Sequence, residues 1–277
     1  MNKAYRALIP VLVLLLAAAG ASATQAATLV EHNAQPLGLT PNAGSPPEFG
    51  RCIKVTSGEY ENAACTKTSG SSKHYEWYPA FGSAQPLEKT SFTTAIKEST
   101  SSVLETVSGT QVVCSGETSV GKYASNHTVG NVVITFTGCV AFGLSCTSEG
   151  AAGGTIVTHT LEGVLGVESL GAEASENGIG EELHPPGGGT VIASFNCGGM
   201  PVTISHALIG QVASNSMKAS DTVKFKQSGG KQQPLNFVGE PSAALSLRLE
   251  ENTPEQAGES LTTIQTNEEK LEINSVV

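Results

Sequence analysis

From Leu245 to Glu250 apolar and polar residues alternate without a break. Leu245, Leu247 and Leu249 fall on one face, and Ser246, Arg248 and Glu250 on the other. A period of two is that of a β-strand with one side in a core and the other in water. It excludes a helix here, because an apolar helix face repeats every 3.6 residues. The same alternation sets Val223 and Phe225 against Lys224 and Lys226, and Leu271 and Ile273 against Glu272 and Asn274. Residues 131–137 and 190–197 are apolar on both faces, which marks more central strands. Within them Cys197 shares a face with Phe195 and Val191, and further back Cys114 shares one with Val112; both cysteines are expected to point inward.

No stretch carries a sustained helical period, and 31 glycines with abundant Ser and Thr weigh against helix interiors. Turn signals recur between the Val-, Ile- and Thr-rich runs: Ser108-Gly109, Gly153-Gly154, Gly187-Gly188-Gly189, Gly198-Gly199 and Gly229-Gly230. The expected fold is all-β, an antiparallel β-sandwich or an up-and-down β-barrel built from hairpins in series and stapled by disulfides. One domain is expected over 50–277. Residues 24–49, rich in Pro, Gly and Asn, are expected to form a linker or arm. The acidic, Gly- and Pro-rich run 171–189 is expected to be an exposed connection.

The first residues have the pattern of an export signal: Lys3 and Arg6, an apolar run from Ala7 to Ala19, and the small-residue site Ala21-Ser22-Ala23. Residues 1–23 are therefore expected to be a cleaved signal peptide and the protein to be extracellular. Six cysteines, Cys52, Cys65, Cys114, Cys139, Cys146 and Cys197, are an even set for an oxidising compartment. Their number allows fifteen connectivities; the expected one is Cys52–Cys65, Cys139–Cys146 and a long bridge Cys114–Cys197. Zinc is disfavoured, since there is no Cys-x-x-Cys and no His at finger spacing. No cofactor is expected.

The formal charge is -10. That disfavours nucleic acid and anionic membrane surfaces as partners, and no run is suited to a membrane span. Asp221 is the only aspartate, so calcium loops, aspartic dyads and Ser-His-Asp triads are hard to assemble. Nucleophile-elbow, zincin, phosphate-loop and dinucleotide motifs are absent from the sequence.

Three sets of residues could carry a function. Tyr75, Trp77, Tyr78 and Phe81 gather the only Trp with neighbouring aromatics. Exposed, they would stack on an extracellular glycan, a cell-envelope component or a partner protein; buried, Trp77 plugs a core. His206 falls on the face of Val202, Ile204 and Leu208, and with His159 and His184 it could form a metal site only if the fold brought the three together. Glu105, Glu117, Glu162 and Glu168 sit in or beside strands, where two across a cleft would serve a glycoside hydrolase.

Gly50-Arg51-Cys52, Tyr75-Glu76-Trp77, Leu104-Glu105-Thr106-Val107, the run from Asn131 to Cys139, Leu161-Glu162-Gly163-Val164-Leu165-Gly166, Cys197-Gly198-Gly199 and the ending from Glu255 resemble a group of paralogous exported proteins of soil actinobacteria. The resemblance covers nearly all of the chain after the linker. It implies a bacterial source and secretion, and it brings no activity and no functional residue. Three readings follow: a non-catalytic secreted binding or envelope-associated module, a β-barrel carrying a small apolar ligand, and a secreted polysaccharide hydrolase with paired glutamates. A lined cavity distinguishes the second; two glutamates in one cleft distinguish the third.

Overall fold

The structure, a computed structural model, describes residues 46–213 and 216–275. The expected signal peptide and most of the expected arm lie outside the described residues. Two residues assigned to the arm, Glu48 and Phe49, instead begin the first strand, and Phe49 is fully buried.

The strands are β1 (Glu48–Lys54), β2 (Tyr75–Pro79), β3 (Ser91–Ile96), β4 (Ser102–Thr106), β5 (Gln111–Cys114), β6 (Gly116–Tyr123) and β7 (Thr128–Thr137). They continue with β8 (Val140–Ala141), β9 (Leu144–Thr147), β10 (Ile156–Val157), β11 (Leu161–Ser169), β12 (Gly178–His184) and β13 (Val191–Cys197). The last are β14 (Met200–Ser205), β15 (Leu208–Val212), β16 (Lys218–Ser228), β17 (Lys231–Gln233), β18 (Ser246–Leu249) and β19 (Glu255–Asn274).

Their pairing closes. β3, β6, β7, β11, β12, β15, β16 and β19 pair in that order, all antiparallel, and β19 returns to β3 with Asn267 opposite Phe92 and Thr263 opposite Ile96. This is the up-and-down barrel, not the sandwich. A second ring closes as well: β4, β5, β8, β9, β13, β14 and β18 pair in turn, and both ends of that series pair with the first residues of β19. The two rings share β19. β3 runs on into β4, β5 into β6, β7 into β8, β12 into β13, and β14 into β15. Eight long staves result: seven cross from one ring to the other through a short break, and β19 spans both without one. Closure removes the free edges that an open sheet would expose.

The lumen holds the main core. Residues facing each other across an antiparallel pair share a side, so the buried members of each stave point inward together: Phe92 on β3, Tyr123 on β6, Ile134 on β7, Leu161 on β11, Leu183 on β12, Leu208 on β15, Phe225 on β16 and Leu261 on β19. Gly121 stands opposite Phe92, and a Cβ there would lie 2.4 Å from the ring. The missing side chain lets Phe92 lie across the lumen. Phe49 of β1 packs edge-on against Tyr123, ring centroids 4.7 Å apart, and fills that end of the barrel.

Three sequence expectations are corrected. The disulfides are Cys52–Cys65, Cys114–Cys139 and Cys146–Cys197. The first matches the expectation. The other two differ because β8 and β9 stand between β5 and β13, which keeps Cys114 away from Cys197, while Cys146 and Cys197 are directly opposed on adjacent strands. Cys197 and Cys114 do point inward. The run 171–189 is not merely a connection: it contains β12, a full stave of the first ring. His206 is exposed rather than inward, because it takes a left-handed φ of 82° that rolls the chain over between Ile204 and Leu208.

Candidate functional site

Where the two rings meet, the lumen is not completely filled. A cavity of about 70 Å³ remains. Each stave contributes an apolar side chain to it: Leu104, Val112, Ile134, Ile156, Ile192, Ile204, Phe225 and Leu261. Such a space accommodates about five water-sized atoms. None of the residues lining it is basic.

One lining residue is ionisable. Glu259 stands opposite Leu104 on the β19–β4 ladder, on the same face as Ala257 and Leu261. It is only 5% exposed. The Ser102 hydroxyl donates to its Oε1 at 2.8 Å, and the Val103 backbone N–H also supports the carboxylate. Burial outweighs both bonds and pushes its pKa up to about 8, with the charge of Glu117 adding to the rise.

Glu117 lies on the neighbouring inward face, opposite the cavity-lining Phe136. It is 4% exposed. Its Oε1 accepts from the Thr94 hydroxyl at 2.7 Å, while its Oε2 is buried with no hydrogen-bond partner among the described residues. Desolvation raises its pKa to about 7. A buried acceptor left open in this way is a destabilising feature that folding alone does not require.

Further along the lumen, Gln265 donates to the Tyr123 hydroxyl, which donates to Asn267 Oδ1, each at 2.8 Å. Glu181 stands opposite Leu165 and Gly210 and faces the same space; burial raises it to about 7. Burial and the charges of Glu181 and Asp221 raise Tyr123 well above the usual phenol range. Lys224 and Lys226 alternate with the inward Val223 and Phe225 and so face outward. The inner wall therefore carries an apolar middle with several acids and no basic side chain among the cavity residues.

The aromatic cluster is divided between two cores. Trp77, 8% exposed, lies in a small separate core with Tyr60 and the Cys52–Cys65 bridge, and its Nε1 donates to Oε1 of buried Glu48 at 2.5 Å. Tyr75 packs on that core, Phe81 packs on the main one, and Tyr78 is half-buried. These four side chains do not form one exposed stacking face.

The histidines do not converge. His159 and His206 are exposed, and His184 lies 3.8 Å from Glu162 on the outer wall. Among the described residues no group of three or more metal-ligating side chains occurs. Of the four carboxylates expected as acid or base, Glu117 alone faces the lumen. Glu105 is held by Gln227 and Glu168 by Gln211, both on the outside. Sequence reasoning missed Glu259 because the polar residues that follow Leu261 on its face, Thr263, Gln265 and Asn267, hide the alternation.

Comparison with protein-family models, with curated proteins and with solved structures finds no match to the chain. Among the described residues no helix is long and apolar enough to cross a membrane.

Proposed function

We propose that the protein is a secreted, non-catalytic binding protein that takes a small, mainly apolar molecule into its barrel. The observation that carries this reading is the cavity at the junction of the two rings, to which all eight staves contribute apolar side chains. A closed antiparallel barrel with an apolar lumen is a recurrent way to hold one small ligand. Secretion is supported by the signal-like first residues and by three disulfides with no free cysteine among the described residues. The resemblance to exported actinobacterial proteins agrees with it. Glu105, Glu162 and Glu168 face outward, and the two carboxylates that do meet, Glu117 and Glu259, are buried beside a space of about 70 Å³, too small for a sugar ring, which speaks against the hydrolase reading and its need for two carboxylates flanking a substrate cleft.

The test is a titration of the oxidised protein with benzene and with butan-1-ol, followed through the methyl resonances of Leu104, Ile204 and Leu245. Saturable shifts confined to the cavity methyls are expected, and they should vanish in Ala193→Leu, which fills the space from the β13 wall. Shifts that never saturate, or that survive the filling, would overturn the reading.

A further inference from the structure

We propose that the ligand of the barrel carries an amine, with its apolar body in the cavity and its protonated nitrogen on the carboxyl groups of Glu117 and Glu259. The proposal rests on the ligand-binding reading above and deepens it.

Two independent observations converge. The first is the cavity, whose only ionisable lining residue is an acid. The second is the open Oε2 of Glu117: a nine-tenths-buried carboxyl bonded on one oxygen by Thr94 and left without a donor on the other. Once Glu117 is ionised its open oxygen needs a hydrogen-bond donor, and an ammonium supplies three. The donors already present on Glu259, the Ser102 hydroxyl and the Val103 N–H, favour its ionised form and so prepare it for a cation. A carboxylate ligand would meet like charge, and an alcohol would satisfy the open acceptor without engaging the charge.

The titratable groups facing the lumen are Glu117 and Tyr123 of β6, Glu181 of β12, Asp221 of β16, and Glu255 and Glu259 of β19. All are acidic, so no resident cation competes with the ligand at the inner wall. Without ligand, Glu117 and Glu259 are largely protonated near pH 6.5, since burial raises both. Binding an already protonated amine must displace a proton from them. Amine affinity should therefore rise as pH increases from 6 to 9, below the range where the amine itself loses its charge.

The experiment is calorimetry on the whole oxidised protein with three probes of one size: butylamine, butan-1-ol and butyrate. Each has about the number of heavy atoms the cavity admits. Titrations at pH 6.5 in buffers of different ionisation enthalpy count the protons exchanged. The expected result is a roughly tenfold or greater preference for butylamine over butan-1-ol, with about one proton released per amine bound. Glu117→Gln should abolish the preference and the proton release while leaving butan-1-ol binding intact, and Glu259→Gln provides the same readout from the other wall. Butan-1-ol binding as well as butylamine, or amine binding without proton release, overturns the amine proposal and leaves the cavity reading standing. If none of the three probes binds, both fall.

Discussion

Ser102 on β4 gives its hydroxyl proton to Oε1 of Glu259 on β19 across 2.8 Å, and both side chains are sealed inside the barrel wall. Glu259 faces Leu104 in the ladder, so Ser102 is its diagonal neighbour two residues along the same face. This hydroxyl and the Val103 N–H together cannot replace the hydration that a carboxylate loses on burial. The acid therefore stays neutral near pH 7, and the fold carries a proton that the unfolded chain has released.

Stability should fall as pH rises. Glu117 and Glu259 have folded-state pKa values near 7 and 8 against 4.5 when unfolded. Between pH 4.5 and 8 the folded state binds more protons than the unfolded one, so stability is lost across that window and levels off above it. Glu259 alone accounts for on the order of 5 kcal/mol. Glu168, Glu181 and Glu272 are raised by burial and act in the same direction; Glu255, lowered chiefly by the Ser108 hydroxyl, opposes them. Urea midpoints at pH 5, 6.5 and 8.5 check this. They should decline with pH, and Glu259→Gln should flatten the decline. A midpoint that climbs with pH would mean that these acids are charged in the folded protein.

Peptide mapping under non-reducing conditions should recover Cys52–Cys65, Cys114–Cys139 and Cys146–Cys197. Cys146–Cys197 encloses the longest loop, with a sequence separation of 51. Its removal by a paired Cys→Ala change should cost about 4 kcal/mol by the chain-entropy estimate, more than the loss of Cys52–Cys65 with its separation of 13. Equal losses, read as shifts in the denaturant midpoint, would show that loop length does not govern these bridges.

Trp77 is the only tryptophan in the chain, which makes its emission specific. Buried beside Glu48, it should emit in the blue and resist iodide. Trp77→Phe keeps an aromatic ring but leaves a buried carboxylate oxygen of Glu48 without its donor, at a cost of about 1–3 kcal/mol. Red, readily quenched emission in the folded protein would place the indole at the surface instead.

The strands were legible where alternation is strict, as at Leu245 to Leu249 and at Val223 to Lys226. β12 was not, because Gly178, Gly180, Glu181 and Glu182 dilute the apolar signal of Ile179 and Leu183. Its glycines have a packing reason invisible along the chain: Gly180 faces Gly166, and Phe237 lies over both. Barrel closure was equally hidden, since it depends on β19 meeting β3 some 170 residues away, and no local pattern encodes that partner. Glu259 fell outside the expected site for a related reason. It lies on an inward face shared with Thr263, Gln265 and Asn267, and such a face looks solvated until the opposite staves are in place. His206 was misassigned because one left-handed residue reverses the parity that alternation assumes.

Phe237 also provides a test of how the loop after β17 is fixed to the barrel. Its ring lies where a Cβ on Gly166 would come within 2.3 Å of Cδ2, and the Val238 N–H donates to Val167 O at 2.8 Å. Gly166→Ala must push the ring off the wall, at about 1–3 kcal/mol. Phe237→Ala should cost about 3 kcal/mol through lost packing. If the contact is the reason Gly166 is needed, the two changes are coupled: the double variant should be destabilised by clearly less than the sum, because the added methyl enters the space that the ring has vacated. Additive losses in a double-mutant cycle of unfolding free energies would show that Gly166 serves the β11 backbone and not the docking of the loop.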